Sequence, residues 1–450
     1  MSKSFSALEH SIYDNDILRF PEAIYLHIPF CRSRCIYCDF YLEVEKQSVS
    51  SHRIQRFLEA LEREITARLN TWYQAYQCLE KPPIKSIYFG GGTPSLLSAM
   101  QIQEVLAHLG QWVTWDETCE ITLEVNPKDW TSTPQAYQHA GITRFSLGVQ
   151  SFHDPLLQAL SRRHRQKDIF QSIEAITQSN ITSWSLDLMY GIPRQTEALW
   201  QKDIEHVLQI MPPHVSMYGL QVEAQTPLPK LIQTGSYPIA NEDLQAQWYE
   251  YAHAHLAAKD LKAYELSNFA QAGHASIHNQ VYWQQNPYIA LGPSASGWIQ
   301  GRYYKNTPSL QTYLEASWES LHAHEVPEEG WQPSTDTMLE QVLMFGLRQT
   351  QGVPIRKIAY WLYQHSHDDT LMPLLTPTPF QEVPQEAIHR AWERFWRWTG
   401  PRFHRHVQEG YLTQTHESLH LSTKGWLLSN PILSSLLDRP QGDPSQHDGR

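Results

Sequence analysis

Three of the five cysteines in this chain fall within eight residues, as Cys31-Arg32-Ser33-Arg34-Cys35-Ile36-Tyr37-Cys38. Thiolates at C-x3-C-x2-C spacing can hold three irons of a four-iron four-sulfur cluster, which leaves the fourth iron without a protein ligand and open to a small molecule. The competing metal is zinc, which needs a fourth donor to complete a tetrahedron, and His27 is the only histidine close by in sequence. Burial without chemistry is a third reading, and spacing alone leaves all three open. Cys78 and Cys119 stand alone. A lone cysteine is ordinarily a small buried hydrophobe, so neither enters the chemistry.

Four further segments carry chemistry-bearing residues. Gly90-Gly91-Gly92-Thr93 follows an apolar run, where glycines let the backbone approach a ligand closely and leave amides and carbonyls free to bond it; the plain alternative is a tight turn. Glu124 ends the run Glu120 to Val125, and a carboxylate there can accept both hydroxyls of a ribose, or be an ordinary satisfied acid. Gln150 ends the run Arg144 to Val149, and Arg162 lies twelve residues beyond, able to neutralise a carboxylate bidentately. Its neighbour Arg163 reads as a solvated helix charge. Asp187 lies inside the apolar segment Leu186 to Pro193, and a buried acid needs partners.

The elements that position these residues follow from hydrophobic periodicity. Strand patterns at Ala23 to Ile28, Ile84 to Phe89, Glu120 to Val125, Arg144 to Val149, Ser183 to Met189 and His214 to Val222 alternate with helical patterns. The first helix carries Ile54, Leu58, Leu61, Ile65 and Leu69 on one face. Six βα units in series predict an α/β fold, with right-handed crossovers and a parallel sheet closed or nearly closed into a barrel. Every suspicious residue then lies at or just beyond the carboxyl end of a strand, where barrel enzymes build their sites. The expected organisation is an arm over residues 1–22, the barrel and its extension over 23–325, a small mainly helical domain of winged-helix type over 326–438, and a disordered tail over 439–450. A Pro-rich insertion over 365–386 interrupts the second domain.

The chain has 450 residues and a net charge of −12, which argues against a general nucleic-acid binder. No run of 18 apolar residues and no apolar segment near the start suggest a span or a secretory signal. With a tight thiol cluster in place of a disulfide framework, the expected location is the cytoplasm. His108, His206 and His255 sit in helical patterns and read as ordinary surface residues. The stretch Trp392 to Trp398 reads as an amphipathic helix on the barrel, with transient membrane-surface contact as the alternative.

The cysteine loop, with Tyr25-Leu26-His27-Ile28-Pro29-Phe30 before it and Gly90-Gly91-Gly92-Thr93-Pro94-Ser95 after the second strand, resembles the radical S-adenosylmethionine (SAM) superfamily. Within it the chain resembles the branch of oxygen-independent coproporphyrinogen III oxidases and HemW-type haem chaperones, over about Tyr25 to Asn306. The resemblance implies a partial (β/α)6 TIM-like barrel and a 4Fe-4S cluster on Cys31, Cys35 and Cys38, with SAM chelating the open iron. It assigns SAM contacts to Tyr25, the backbone at Tyr37, Gly91, Gly92, Thr93, Glu124, Gln150, Arg162 and Asp187. The oxidases usually carry a fourth cysteine two positions after the third and a longer N-terminal arm. Here Asp39-Phe40 follows Cys38, only 30 residues precede Cys31, and His278-Asn279-Gln280-Val281-Tyr282-Trp283 matches the H-N-x-x-Y-W run of HemW-type proteins. The branch implied is therefore the haem chaperone, with haem and a haem-acceptor protein as partners. The alternative is a coproporphyrinogen III dehydrogenase. Where many relatives read Gly-Ala-His the chain has Ser294-Ala295-Ser296. His278 is a candidate haem ligand or a residue shaping the haem site, with Tyr282 and Trp283 as flat faces for the porphyrin; the competing reading is a run that locks the end of the barrel, with His278 hydrogen-bonded.

Overall fold

The computed structural model describes residues 20–45, 51–75, 77–299, 302–318, 335–355, 357–358, 385–415 and 417–437. Nearly all of the N-terminal arm, the boundary near 325, most of the Pro-rich insertion and the tail lie outside the described residues. Six strands, β1 (Ala23–Ile28), β2 (Ser86–Gly91), β3 (Glu120–Val125), β4 (Arg144–Gln150), β5 (Ser183–Tyr190) and β6 (His214–Gly219), lie side by side in chain order. Each pairs with the next in parallel, as the alternation with helices requires. The short strands β7 (Lys262–Ala263) and β8 (Asn268–Ala270) extend the β6 edge in antiparallel fashion. On the other side β9 (Tyr288–Leu291) pairs with β1 in parallel, and β10 (Ser296–Ile299) and β11 (Arg302–Lys305) follow antiparallel. The order β11-β10-β9-β1-β2-β3-β4-β5-β6-β8-β7 leaves two ends unpaired, so this eleven-stranded sheet is an open barrel among the described residues.

The period-2 pattern explains which way each side chain faces. Ile24, Leu26, Ile87, Phe89, Leu123, Phe145, Leu147, Leu186, Val215 and Met217 are buried in one apolar cluster that also holds the helical residues Leu58, Leu61, Ile65, Val105, Ile169, Ile204 and Trp248. The helices that follow the first six strands in the chain are α1 (Ser51–Ala75), α2 (Ala99–Leu109), α3 (Pro134–His139), α4 (Asp154–Ala159), α5 (Gln166–Thr177), α6 (Glu197–Ile210), α7 (Leu228–Gln233) and α8 (Glu242–Ala257). The alternate residues form the inner face: Tyr88 bonds Glu124, Ser146 and Ser185 bond Asp187, and His214 bonds Ser185. A barrel interior is more often filled by branched apolar residues.

α9 (Ile277–Trp283) closes the amino-terminal end of the barrel. Glu120, the first residue of β3, accepts from the Ser276 hydroxyl and from the amides of Ile277 and His278, and so caps the orphan donors of this helix. After α10 (Leu310–Glu315), the later segments comprise α11 (Thr335–Leu347), β12 (Val353–Pro354), α12 (Gln385–Gln408), β13 (Leu412–Gln414), β14 (Ser418–Leu421), α13 (Thr423–Leu427) and α14 (Ser429–Leu437). The three short strands form a separate sheet in the order β12-β14-β13. Leu343, Leu347, Leu421 and Trp426 share the barrel's apolar cluster. No helix among the described residues is long and apolar enough to cross a membrane.

Candidate functional site

The cysteine loop leaves the carboxyl end of β1 and is pinned at both flanks. Phe30–Cys31 pairs in parallel with Glu43–Val44, and the Glu45 amide donates to the Cys31 carbonyl at 2.8 Å. At its tip the Ile36 amide donates to the Leu160 carbonyl at 3.4 Å, while Ile36 and Tyr37 pack on Leu156, Leu160, Met189 and Ile192. Cys31 and Cys35 are buried, Cys38 is half-buried, and none of the five cysteines is in a disulfide. Burial pushes the Cys38 thiol up to about 11.

Gly91 and Gly92 are glycines because no other residue fits. Gly91 sits at φ +108, and a Cβ there would lie 2.7 Å from the His27 ring; one on Gly92 would lie 2.5 Å from the Phe30 carbonyl oxygen. The close approach is to the protein's own first strand. The amides expected to be free are taken: Gly91 donates to Glu124 at 3.2 Å, Gly92 to the Ile28 carbonyl at 2.9 Å and Thr93 to the Phe30 carbonyl at 2.7 Å. The glycine segment therefore clamps the cysteine loop, and any polar contact it offers a ligand comes from carbonyls or from the Thr93 side chain.

The remaining rim residues converge. The Thr93 hydroxyl lies 3.3 Å from Cys31 Sγ and accepts from Asn126 Nδ2 at 2.9 Å. Arg162 donates to Asn126 Oδ1, to the Gly148 carbonyl at 2.7 Å and, through Nη1, to Cys35 Sγ at 3.7 Å. Gln150 ends β4 at φ +66, where the register with β5 shifts, and its side-chain nitrogen lies close above Gly148. Glu124 accepts from Tyr88 Oη at 2.8 Å, and burial, reinforced by the nearby Asp187, raises its carboxyl to about 7. Asp187 accepts from Ser146 at 2.7 Å and Ser185 at 2.8 Å, and burial raises it too. Tyr25 stacks on Tyr88 with centroids 6.1 Å apart. The mouth of the barrel thus brings together a thiol loop, one arginine and two buried acids held by neutral hydroxyl donors. Arg163, expected as a solvated helix charge, lies instead in the bend between α4 and α5, where it is partly exposed and pairs with Asp129 at 3.2 Å.

Two expectations are corrected. His27 has no nitrogen to spare for zinc: Nδ1 accepts from Tyr25 Oη at 3.1 Å and Nε2 donates to the Tyr41 carbonyl at 2.9 Å. Among the described residues no three His, Cys, Asp or Glu side chains converge on a point where they could hold one metal ion. A cluster, in which each thiolate takes a different iron, makes no such demand. The second correction concerns haem. His278 is 1% exposed, with Nδ1 3.0 Å from Ser86 Oγ and Nε2 2.8 Å from Tyr282 Oη, and it stacks on Tyr88 at 4.9 Å. Burial lowers its pKa to about 3. Tyr282 meets Tyr288 edge-on at 4.5 Å, and Trp283 meets Phe345 of α11 edge-on at 5.9 Å. His278 therefore has no nitrogen free for a haem iron, and it lies at the end of the barrel opposite the cysteines, as the competing reading of the run has it.

Sequence reasoning missed Asn126, Tyr88, Ser146 and Ser185. The signal was present, since Glu120, Thr122, Glu124 and Asn126 alternate with apolar residues and so share one face.

The Radical SAM superfamily model matches residues 25–207. The heme chaperone HemW of Synechocystis is 37% identical over 74% of this chain and 79% of its own length, and that of Bacillus subtilis is 33% identical over 92% and 99%. Among solved structures, the radical SAM enzyme coproporphyrinogen III oxidase (HemN) of Escherichia coli matches with a TM-score of 0.69, covering 94% of this chain and 92% of its own at 19% identity, a likeness of fold. A cysteine loop at the mouth of an open parallel barrel, a superfamily match over the strands that build it, and relatives at this identity over most of their length place the chain in the radical SAM superfamily, in the HemW family.

Proposed function

We propose that this protein is a haem chaperone of the HemW type, which binds haem and hands it to an acceptor protein. Membership of the superfamily implies a 4Fe-4S cluster and SAM. In this reading Cys31, Cys35 and Cys38 hold the cluster, and Tyr25, Tyr37, Gly91, Gly92, Thr93, Glu124, Gln150, Arg162 and Asp187 surround an exchangeable SAM. Such a cluster, with one iron free of protein thiolates, supplies a chelating position and single-electron transfer. The chain's own residues do the rest. Arg162 faces a carboxylate, Glu124 and Asp187 face hydroxyls and an ammonium, and the Ile36–Tyr37 plug keeps water from the back of the loop.

The observation that carries the reading is the pairing of this rim with Asp39-Phe40 after the third cysteine, in a chain 37% identical to a named heme chaperone. The acceptor is a protein of unidentified sequence, and the setting proposed is the cytoplasm. The domain limits at 325 and 438 belong to the same reading. Two measurements test it. Anaerobic reconstitution is expected to give about four irons per chain, abolished by Cys31→Ala, Cys35→Ala or Cys38→Ala and kept by Cys78→Ala and Cys119→Ala. Incubated anaerobically with coproporphyrinogen and SAM, the loaded protein is expected to yield no protoporphyrinogen while titrating with about one haem per chain. Protoporphyrinogen formation would overturn the chaperone in favour of the dehydrogenase.

A further inference from the structure

We propose that Asn126 is a positioning residue of the cluster site, the middle of a one-way hydrogen-bond chain that runs from Arg162 through Thr93 to Cys31. This inference rests on the reading that Cys31, Cys35 and Cys38 hold a four-iron cluster. Asn126 follows β3, facing neither a thiol nor a solvent-exposed charge, and its side-chain amide is used at both ends. Its orientation is fixed by chemistry: a guanidinium can only donate, so the atom facing Arg162 is Oδ1 and the atom facing Thr93, at 2.9 Å, is Nδ2. Because Thr93 Oγ1 accepts from Asn126, its own hydrogen is left for Cys31 Sγ at 3.3 Å. The Cys31 thiol meanwhile points its hydrogen at the Ser33 carbonyl, 3.1 Å away, so the sulfur is the acceptor toward Thr93. The same Arg162 reaches Cys35 Sγ directly at 3.7 Å. Two of the three cluster sulfurs are therefore gripped by a single arginine, one directly and one through two intermediaries.

Only asparagine serves at this position. Alanine breaks the chain at its centre and leaves an Arg162 donor without its acceptor. Aspartate keeps the acceptor for Arg162 but turns its second oxygen toward Thr93, whose hydroxyl then donates to that carboxylate and is lost to Cys31. Gly148 completes the seat: a Cβ there would lie 3.1 Å from Asn126 Oδ1 and 3.2 Å from Arg162 Nη2. Hydrogen bonds to cluster sulfurs stabilise the more negative, reduced state and raise the reduction potential, and groups that orient ligands typically contribute 10- to 100-fold to metal affinity.

The test uses the full chain, reconstituted anaerobically, as wild type, Asn126→Ala and Asn126→Asp. Both variants are expected to take up about four irons per chain, to lose iron to a chelator roughly 10- to 100-fold faster than wild type, and to show a more negative midpoint potential. In Asn126→Ala, SAM affinity measured by perturbation of the reduced cluster's EPR spectrum falls as well, because Arg162 is released; in Asn126→Asp it falls less. Wild-type potential and iron-loss rate in a folded, loaded Asn126→Ala would overturn the proposal. If that variant does not fold, wild-type values in Asn126→Asp overturn it equally. Stoichiometric zinc or no iron in the wild-type protein would sink the cluster reading itself, a result these variants cannot produce.

Discussion

His278 shows how much a single residue's place decides. An H-N-x-x-Y-W run invites a haem ligand on chemistry alone, because a neutral imidazole is a good iron ligand. Nothing in the run says which end of the barrel it occupies, and that depends on β9, which pairs with β1 across more than 250 residues of chain. With both nitrogens engaged and the ring buried, His278→Ala is expected to leave haem stoichiometry and the Soret band unchanged while costing about 2–4 kcal/mol of stability, from a cavity and two hydroxyls left without a partner. The pH dependence has a definite sign. The folded pKa of about 3 lies below the ordinary histidine value of 6.5, so the neutral ring stabilises the fold fully above about pH 6.5, and that contribution is lost as pH falls toward 3. Urea denaturation of wild type and variant at pH 7.5 and pH 5 should therefore show the gap narrowing at the lower pH. An altered Soret band in a well-folded variant would restore haem ligation. By contrast Glu124 and Asp187 were legible, because an acid in an apolar strand declares itself without knowledge of its partners.

Strands and their alternation were legible for the same local reason, and all six parallel strands lie within a few residues of their expected limits. The two-residue strand Lys262–Ala263, the three-residue strand Asn268–Ala270 and the register shift in β4 were not, since too few residues repeat to show a period. The turn after β4 illustrates what an element adds to a site. Gln150 adopts φ +66, and the next two residues are held from α6: Asp203 accepts from Ser151 Oγ at 2.8 Å and from the Phe152 amide at 2.7 Å. His153 Nε2 stands 3.6 Å from the same carboxylate. Burial raises Asp203 from 3.8 to about 7, so the protonated acid favours the fold below about pH 4, and that advantage is lost as pH rises through 7. In an Asp203→Asn variant the side-chain amide keeps an acceptor for the Phe152 N–H and can donate to Ser151, without ever having to ionise. Its stability relative to wild type is expected to rise by roughly 1–3 kcal/mol between pH 4 and pH 8.5. A constant difference across that range, in chemical denaturation, would show that the carboxyl is ionised throughout.

At the scale of the molecule, the site is spread over the sheet. Tyr25 and the cysteine loop come from β1, Gly91 to Thr93 from β2, Glu124 from β3, Gln150 and Arg162 from β4 and the segment beyond it, and Asp187 from β5. These five strands are consecutive in a sheet whose ends do not meet among the described residues, so no closed ring of hydrogen bonds is seen there to hold them at fixed curvature. A ligand that touches all five supplies part of that constraint, and anything that binds the folded state alone stabilises it by mass action. In the proposed reading SAM meets β1 chiefly through the cluster on the cysteine loop, with Tyr25 beside it, and β2 to β5 through the protein. Stabilisation by SAM should therefore require iron. At about 100 times its dissociation constant, SAM is expected to contribute about 2.7 kcal/mol, raising the unfolding midpoint of the loaded protein by roughly 3 °C. The same SAM concentration should move the midpoint of the Cys35→Ala protein by less than about 1 °C, since without the cluster the main anchor at β1 is lost. An equal rise in both, in anaerobic thermal scans, would mean that SAM is bound by the strand rim alone and that the cysteine loop contributes nothing to holding it.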